Sequence, residues 1–198
     1  MSSAVPRSMR ADAQRNRVRI LSAAADVFAA GGPEASTEEV ARRAGVAIGT
    51  VFRHFPTKAD LLRALMKEQL RQLTDDAATL IAGGDPRTAL FEFFSRLVER
   101  TAASRTVVHL LAAQGLDVPV AGPVGSLSGA VGELLAGAQR AGAVRPGIRA
   151  DEVTALMVSA CQGALHGGWS PDLRERTLGV MFAGLRPPGE SGVGQDRT

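Results

Sequence analysis

Cysteine and lysine are nearly missing from this chain, and each scarcity excludes something. One cysteine, Cys161, among 198 residues excludes an intrachain disulfide framework and a multi-cysteine zinc site. A reducing compartment fits that usage, and a cytoplasmic location is expected. Lysine occurs twice against 21 arginines, which beside abundant alanine and glycine reads as GC-rich coding rather than a phosphate-binding signal. The uncharged run from Val153 to Pro171 holds Thr154, Ser159, Gln162, His166 and three glycines, so it reads as a buried helix rather than a membrane span. The first residues lack the basic, apolar, small-residue order of a signal peptide, and no leader is expected. No segment alternates with period two long enough to be a strand, and no internal repeat is visible. No carboxylate pair or metal-ligand cluster stands out. Cys161 and His166 are five residues apart, about 140° around a helix, so they would not face each other as nucleophile and base. No catalysis, cofactor or metal is expected.

What is present has the balance of an ordinary globular protein, 45% apolar and 22% charged residues. Length allows one large domain or two small ones. The net charge of +3 is unevenly placed: residues 1–19 carry five arginines against Asp12, a net +4, and the remainder is −1. A basic arm before a neutral body points to a polyanion, nucleic acid first and an anionic membrane second, or to a solvated tail.

Periodicity and punctuation predict an all-α chain of about nine helices. Residues 1–11 carry no pattern and are expected to be a flexible basic arm. From Asp12, Ile20, Leu21, Ala24, Val27 and Phe28 recur at helical spacing until Gly31-Gly32-Pro33. Ser36 to Glu39 reads as a capping box for a short helix ended by Gly45. A second short helix runs from about Ile48 to Phe55 and is closed by Pro56. Thr57 and Asp60 open a long amphipathic helix carrying Leu61, Leu62, Leu65, Met66, Leu70 and Leu73. Beyond Gly83 to Pro86, where Asp85 caps and Pro86 starts, helices are expected at 87–103, 105–115, 124–141, 151–167 and 171–185. The tail 187–198 is rich in glycine and proline and is expected to be disordered. The domain reading is 12–73 and 74–186.

Two short helices around one tight turn, residues 36–55, fit a helix-turn-helix as well as an ordinary αα-hairpin. Val51 and Phe55, four apart, face the core together. Ile48, Gly49, Phe52 and Arg53 then point outward, which suits contact with thymine methyls, sugars and phosphates.

The run Ile20 to Phe28, then Gly31-Gly32, Thr37, Val40-Ala41, Ala44-Gly45-Val46, Gly49-Thr50-Val51-Phe52-Arg53-His54-Phe55, Lys58 and Leu61-Leu62 resembles the TetR family of bacterial transcriptional regulators. The resemblance covers about residues 13–73 and keeps both order and spacing. It implies an N-terminal three-helix DNA-binding domain and a C-terminal helical domain for ligand binding and dimerisation. It also implies a homodimer on a palindromic double-stranded DNA operator, released by a small-molecule effector, with no membrane role. Carried over by position, DNA contacts are expected from Arg15, Arg17, Thr37, Ile48, Gly49, Thr50, Phe52, Arg53, His54 and Lys58. Thr37, His54 and Lys58 would meet the phosphate backbone, and Gly49 and Thr50 would sit where the recognition helix meets the groove. Two positions depart from the family pattern. Phe52 stands where tyrosine is usual, and Ala47 where a serine or threonine commonly caps the recognition helix.

In the C-terminal half, polar residues embedded in apolar runs are the pocket candidates: His109, Gln114, Cys161, Gln162 and His166, with Phe94 and Trp169. The helix at 151–167 is apolar almost all round and is expected to be buried on more than one side. Ser159, Gly163 and Gly167 form a small-residue ridge that would admit a second helix. With Val180 and Met181 on the last helix, they are the expected dimer interface.

Overall fold

The computed structural model describes residues 7–116 and 121–188. Among them are ten α-helices, one 3-10 turn and no strand. The helices are α1 (Arg7–Gly31), α2 (Thr37–Ala44), α3 (Ile48–His54), α4 (Lys58–Gly83) and α5 (Ala89–Ala103). They continue as α6 (Arg105–Ala112), α7 (Ala121–Gly125), α8 (Ser128–Arg140), α9 (Ala150–His166) and α10 (Pro171–Leu185). The tenth helix arises because the stretch expected as 124–141 is two pieces, α7 and α8. The expected arm at 1–11 is also shorter, since α1 already runs from Arg7. Residues 1–6 and most of the expected tail, 189–198, lie outside the described residues.

The chain divides into two units, residues 1–72 with 103–118, and 73–102 with 119–198. One division falls near residue 73, and α6 belongs to the N-terminal unit. The reason is burial. Val107 and Leu111 of α6 join the cluster of Ile20, Ala24, Phe28, Val40, Val51, Phe55, Leu61 and Leu62. In that cluster the short helices gain what they lack alone, since helices of seven or eight residues are unstable in water without a packed face.

Local chemistry sets the ends. Ser36 Oγ accepts the Glu39 N–H at 3.1 Å, but the reciprocal half of the expected capping box does not form. The Glu39 carboxylate pairs with Arg42 instead, at 3.1 Å. At the start of α4 a reciprocal pair is present between Thr57 and Asp60. The Asp60 N–H donates to Thr57 Oγ1 at 3.1 Å, and the Thr57 N–H to Asp60 Oδ2 at 3.2 Å. Asp85 Oδ1 accepts the Arg87 N–H at 2.8 Å in a turn, so α5 starts at Ala89, two residues late.

In the C-terminal unit, Phe91 and Phe94 of α5 meet Phe182 of α10 with centroids 5.0 and 5.5 Å apart. Gln139 Nε2 reaches the carbonyls of Arg145, Pro146 and Ile148 and so holds the connection between α8 and α9. Ser170 caps α10 by accepting the Leu173 N–H at 3.2 Å, with Pro171 in its first turn. The helix α9 is not buried all round. Val153, Met157, Ala160, Cys161, Ala164 and Leu165 face in, while Ala155, Ser159, Gln162 and His166 form an exposed stripe.

The small-residue ridge on α9 is occupied by its own chain. The Trp169 indole lies on Gly163 and Gly167, so close that a Cβ at Gly163 would sit 2.2 Å from the ring. The Trp169 carbonyl in turn accepts Arg174 Nη1 at 3.0 Å. Gly163→Ala would therefore expel the indole. The expected result is a net loss of about 1–2 kcal/mol despite alanine's helix preference, because overpacking costs about 1–3 kcal/mol. Trp169 is the sole tryptophan, so a red shift of intrinsic emission together with a lower Tm checks this, and unchanged emission rejects it.

Candidate DNA interface

The site is built on α1, α2, α3 and the first turn of α4. The helix α3 has a buried side and an outward side. Val51 is 1% exposed and Phe55, just past its end, 2%, both within the N-terminal core. Ile48 and Phe52 are 36% and 43% exposed, with Gly49 and Arg53 also exposed, so all four lie on the face expected from the spacing. At Gly49 an added Cβ would meet open space, and the backbone there is bare. Thr50 and His54 are half-buried at the flanks. A helix whose outward face combines Ile, Phe, bare backbone and Arg is poorly suited to water alone. It is well suited to a groove that offers methyls, sugars and phosphates.

The start of α3 carries no side-chain cap. Ala47 occupies the cap position with φ −66° and ψ 146°, and its carbonyl accepts the Thr50 N–H at 2.8 Å. The turn before it is closed by Gly45 at φ +63°, a conformation that favours glycine.

Charge around this face is already partly engaged. Arg15 pairs with Asp12 on the exposed side of α1. The Arg17 guanidinium sits 4.6 Å from the Phe55 ring centroid. Lys58 Nζ donates to the Ala35 carbonyl at 2.8 Å and lies 5.6 Å from the Phe28 ring centroid. It thus ties the segment before α2 to the first turn of α4, a role that spacing did not reveal. The His54 imidazole is held below its ordinary pKa, first by desolvation and then by the nearby Arg17 and Arg53 charges. Thr37 is half-buried at the first position of α2.

Comparison with known proteins agrees with this geometry. Residues 20–65 match the family described as bacterial regulatory proteins, tetR family, and residues 85–187 match the SbtR-like transcriptional regulator C-terminal domain. The chain belongs to the TetR family. A TetR transcription regulatory protein of Mycobacterium vanbaalenii is 42% identical and superposes with a TM-score of 0.73, over 90% of this chain and 99% of that one. The regulator SCO0520 of Streptomyces coelicolor is 31% identical, with a TM-score of 0.69 over 86% and 98%. The transcriptional repressor KstR of Mycolicibacterium smegmatis is 42% identical over 80 residues, 38% of each chain. Matches to three curated relatives span only 33 to 53% of their lengths. The chain is a DNA-binding transcriptional regulator of this family, which is not a family of enzymes.

The regulator's C-terminal candidates are arranged differently from the sequence reading. His109 and Gln114 fall in the N-terminal unit, both exposed, and the Gln114 amide donates to the Leu110 carbonyl at 3.2 Å. Gln162 and His166 lie on the exposed stripe of α9. Polar side chains in an apolar run mark its wet side when their spacing is helical, and that is the case here. Phe94 and Cys161 are core, and Trp169 covers the ridge on α9. Burial pushes the Cys161 thiol up to about 11, and its sulfur accepts the Thr101 hydroxyl at 3.4 Å, so the group is an inert thiol. Of the expected dimer residues, Gly163 and Gly167 are covered by Trp169, while Ser159 is exposed, Met181 half-buried and Val180 76% exposed. Among the described residues no helix is long and apolar enough to cross a membrane, and no group of three or more potential ligands could hold a metal ion.

The uncapped start of α3 yields a prediction. Ala47→Ser places a hydroxyl within reach of the amides of the first turn, in a backbone conformation that already suits a cap. A cap of this kind contributes about 0.5–2 kcal/mol. The Tm is expected to rise by about 2–4 °C per kcal/mol gained, with slower amide exchange at Thr50; unchanged exchange there would contradict it.

Proposed function

We propose that the regulator is a repressor that binds a palindromic operator as a homodimer and leaves it when a small molecule enters the C-terminal unit. The observation that carries the DNA half is the outward face of α3: Ile48, Gly49, Phe52 and Arg53 presented together on a helix anchored by Val51 and Phe55. Thr50 and Gly49 meet base edges, and Thr37, Arg15, Arg17, His54 and Lys58 meet phosphates. Lys58 retains two further N–H donors beyond the one it gives Ala35, and Arg15 can exchange an exposed ion pair for a phosphate at little cost. Repression is supported by the repressor name of the relative from Mycolicibacterium smegmatis. The homodimer is supported by the exposed Val180 and the stripe of α9, both on the C-terminal unit. For the effector, a cleft of about 300 Å³ lies within the same unit, lined by Leu80, Pro86, Ala89, Leu134, Gly137 and Arg140. Glu133 also lines it, so walls that mix aliphatic side chains with one carboxylate and one guanidinium suit a small molecule carrying both apolar and polar groups.

Selection of duplexes from a random pool, followed by mobility shifts over a salt series, tests this reading. A palindromic site, two chains per duplex and a steep loss of affinity with salt are expected, since neutralised phosphates release counterions. Enrichment of nothing, or one chain on an asymmetric site, would reject it. Phe52→Tyr adds a donor at the outer edge of a ring that is already 43% exposed. If that edge faces phosphate, binding tightens by up to about tenfold, roughly 1.4 kcal/mol, with unchanged sequence preference. Equal or weaker binding removes the phosphate from beside residue 52.

A pH dependence follows from His54. Its folded pKa lies below the usual value, so the free protein holds a neutral imidazole at pH 7. A phosphate beside it favours the charged form, so the complex binds more protons than its parts. Affinity is therefore expected to rise as pH falls from about 8 to 6, by less than tenfold per unit for one proton. His54→Gln should flatten that dependence when binding is titrated at constant ionic strength, and an identical pH profile would show that His54 is remote from DNA.

A further inference from the structure

Arg19 is one of the five arginines that make the start of the chain basic, and its exposed side chain is bonded to backbone carbonyls at the end of α2. Its Nη2 donates to the carbonyl of Ala44 at 2.5 Å and to that of Gly45 at 3.1 Å. These are the last residue of α2 and the glycine of the turn into α3. A helix leaves its final carbonyls without intrahelical partners. At this end the Gly45 N–H closes on Arg42 at 3.2 Å and the Val46 N–H on Ala41 at 3.1 Å. The carbonyls of Ala44 and Gly45 are taken by Arg19. The approach is tight: a Cβ at Gly45 would lie 2.9 Å from Arg19 Nη2.

The neighbouring anchors of this turn are weak. Val46 packs only partly against the core, Ala47 offers no cap, and Ile48 faces out. The buried anchors of α3, Val51 and Phe55, lie toward its far end. The Arg43–Asp26 pair also joins α2 to α1, but both partners are more than half exposed. We propose that Arg19 is a positioning residue for operator recognition: by gripping the Ala44 and Gly45 carbonyls from α1, it sets the angle at which α3 presents Ile48, Gly49, Phe52 and Arg53. The inference rests on the reading of α3 as the face that meets DNA.

The test compares wild type, Arg19→Ala and Arg19→Lys on two duplexes, the site that wild type selects from a random pool and an unrelated sequence of equal length. Each is titrated over a salt series. Circular dichroism establishes that the helix content is retained, and if the alanine variant unfolds, the lysine variant carries the comparison. A positioning role predicts about tenfold weaker binding of the selected duplex by Arg19→Ala, unchanged binding of the unrelated one and an unchanged salt slope. Arg19→Lys keeps the charge on a shorter side chain that falls short of the position of Nη2, so it should recover only part of the discrimination. Amide exchange at Gly45 and Val46 should quicken in Arg19→Ala. An equal loss on both duplexes, a slope lower by about one and full rescue by lysine would make Arg19 a phosphate contact and overturn the inference. Wild-type discrimination in Arg19→Ala would overturn it as well. Failure of wild type to select any site would remove the proposed function, and this inference with it.

Discussion

The regulator depends on the seating of one short helix. α3 has seven residues, far below the length at which a helix holds itself together in water. Its existence and its direction come from Val51 and Phe55, which enter a core shared with α1, α2, α4 and α6. Each buried side chain of this kind contributes about 1.5–3 kcal/mol. That is enough to hold a helix of two turns, but two side chains four apart fix mainly its axial rotation. The remaining freedom, a tilt at the turn, is what the Arg19 grip on the α2 end removes.

Seating α3 this way determines what it can show outside. With Val51 and Phe55 inward, Gly49 and Arg53 lie on the far side of the helix, and Ile48 and Phe52 on its flanks stay 36% and 43% exposed. Leaving Ile48 and Phe52 in water forgoes the burial energy they would have inside. A protein evolved only for stability would replace them with polar residues. Their presence together on the short helix that follows the Gly45 turn is the physical argument for a groove as its counterpart.

Much of this was legible in the sequence and the rest was not, for identifiable reasons. The pair Val51 and Phe55, the turn at Gly45 and the cap at Ser36 are local, and local spacing reveals them. Lys58 and Arg19 bond carbonyls 23 to 26 residues away, and one-dimensional spacing carries no trace of such a bond. The same holds for α6, whose Val107 and Leu111 join an N-terminal core that nothing in their own pattern announces. On α9 the failure was of another kind. Ser159, Gln162 and His166 are spaced as one helical stripe, and their 3.6-residue rhythm pointed to an exposed face. Reading Gln162 and His166 as pocket residues, and Ser159 as part of a ridge, does not use that rhythm. Gly163 and Gly167 did mark a close approach, as small residues at four-residue spacing should. The approaching group is the chain's own Trp169, because a ridge specifies clearance and not the identity of what fills it.

Charge shows the same limit most sharply. Five arginines in 19 residues announce an electropositive start, but a count treats every guanidinium as free. Of the three whose side chains are described, Arg15 faces Asp12, Arg17 lies on Phe55 and Arg19 holds two carbonyls. These engagements do not cancel the charge. The Phe55 ring is neutral, so Arg17 still projects its field over about a Debye length, roughly 8 Å at physiological salt. The His54 pKa is lowered first by desolvation and then by the Arg17 and Arg53 charges. A guanidinium bonded to two neutral carbonyls at the root of α3 therefore stiffens the turn through directional hydrogen bonds, and it does so without a flexible side chain that would have to be ordered on contact.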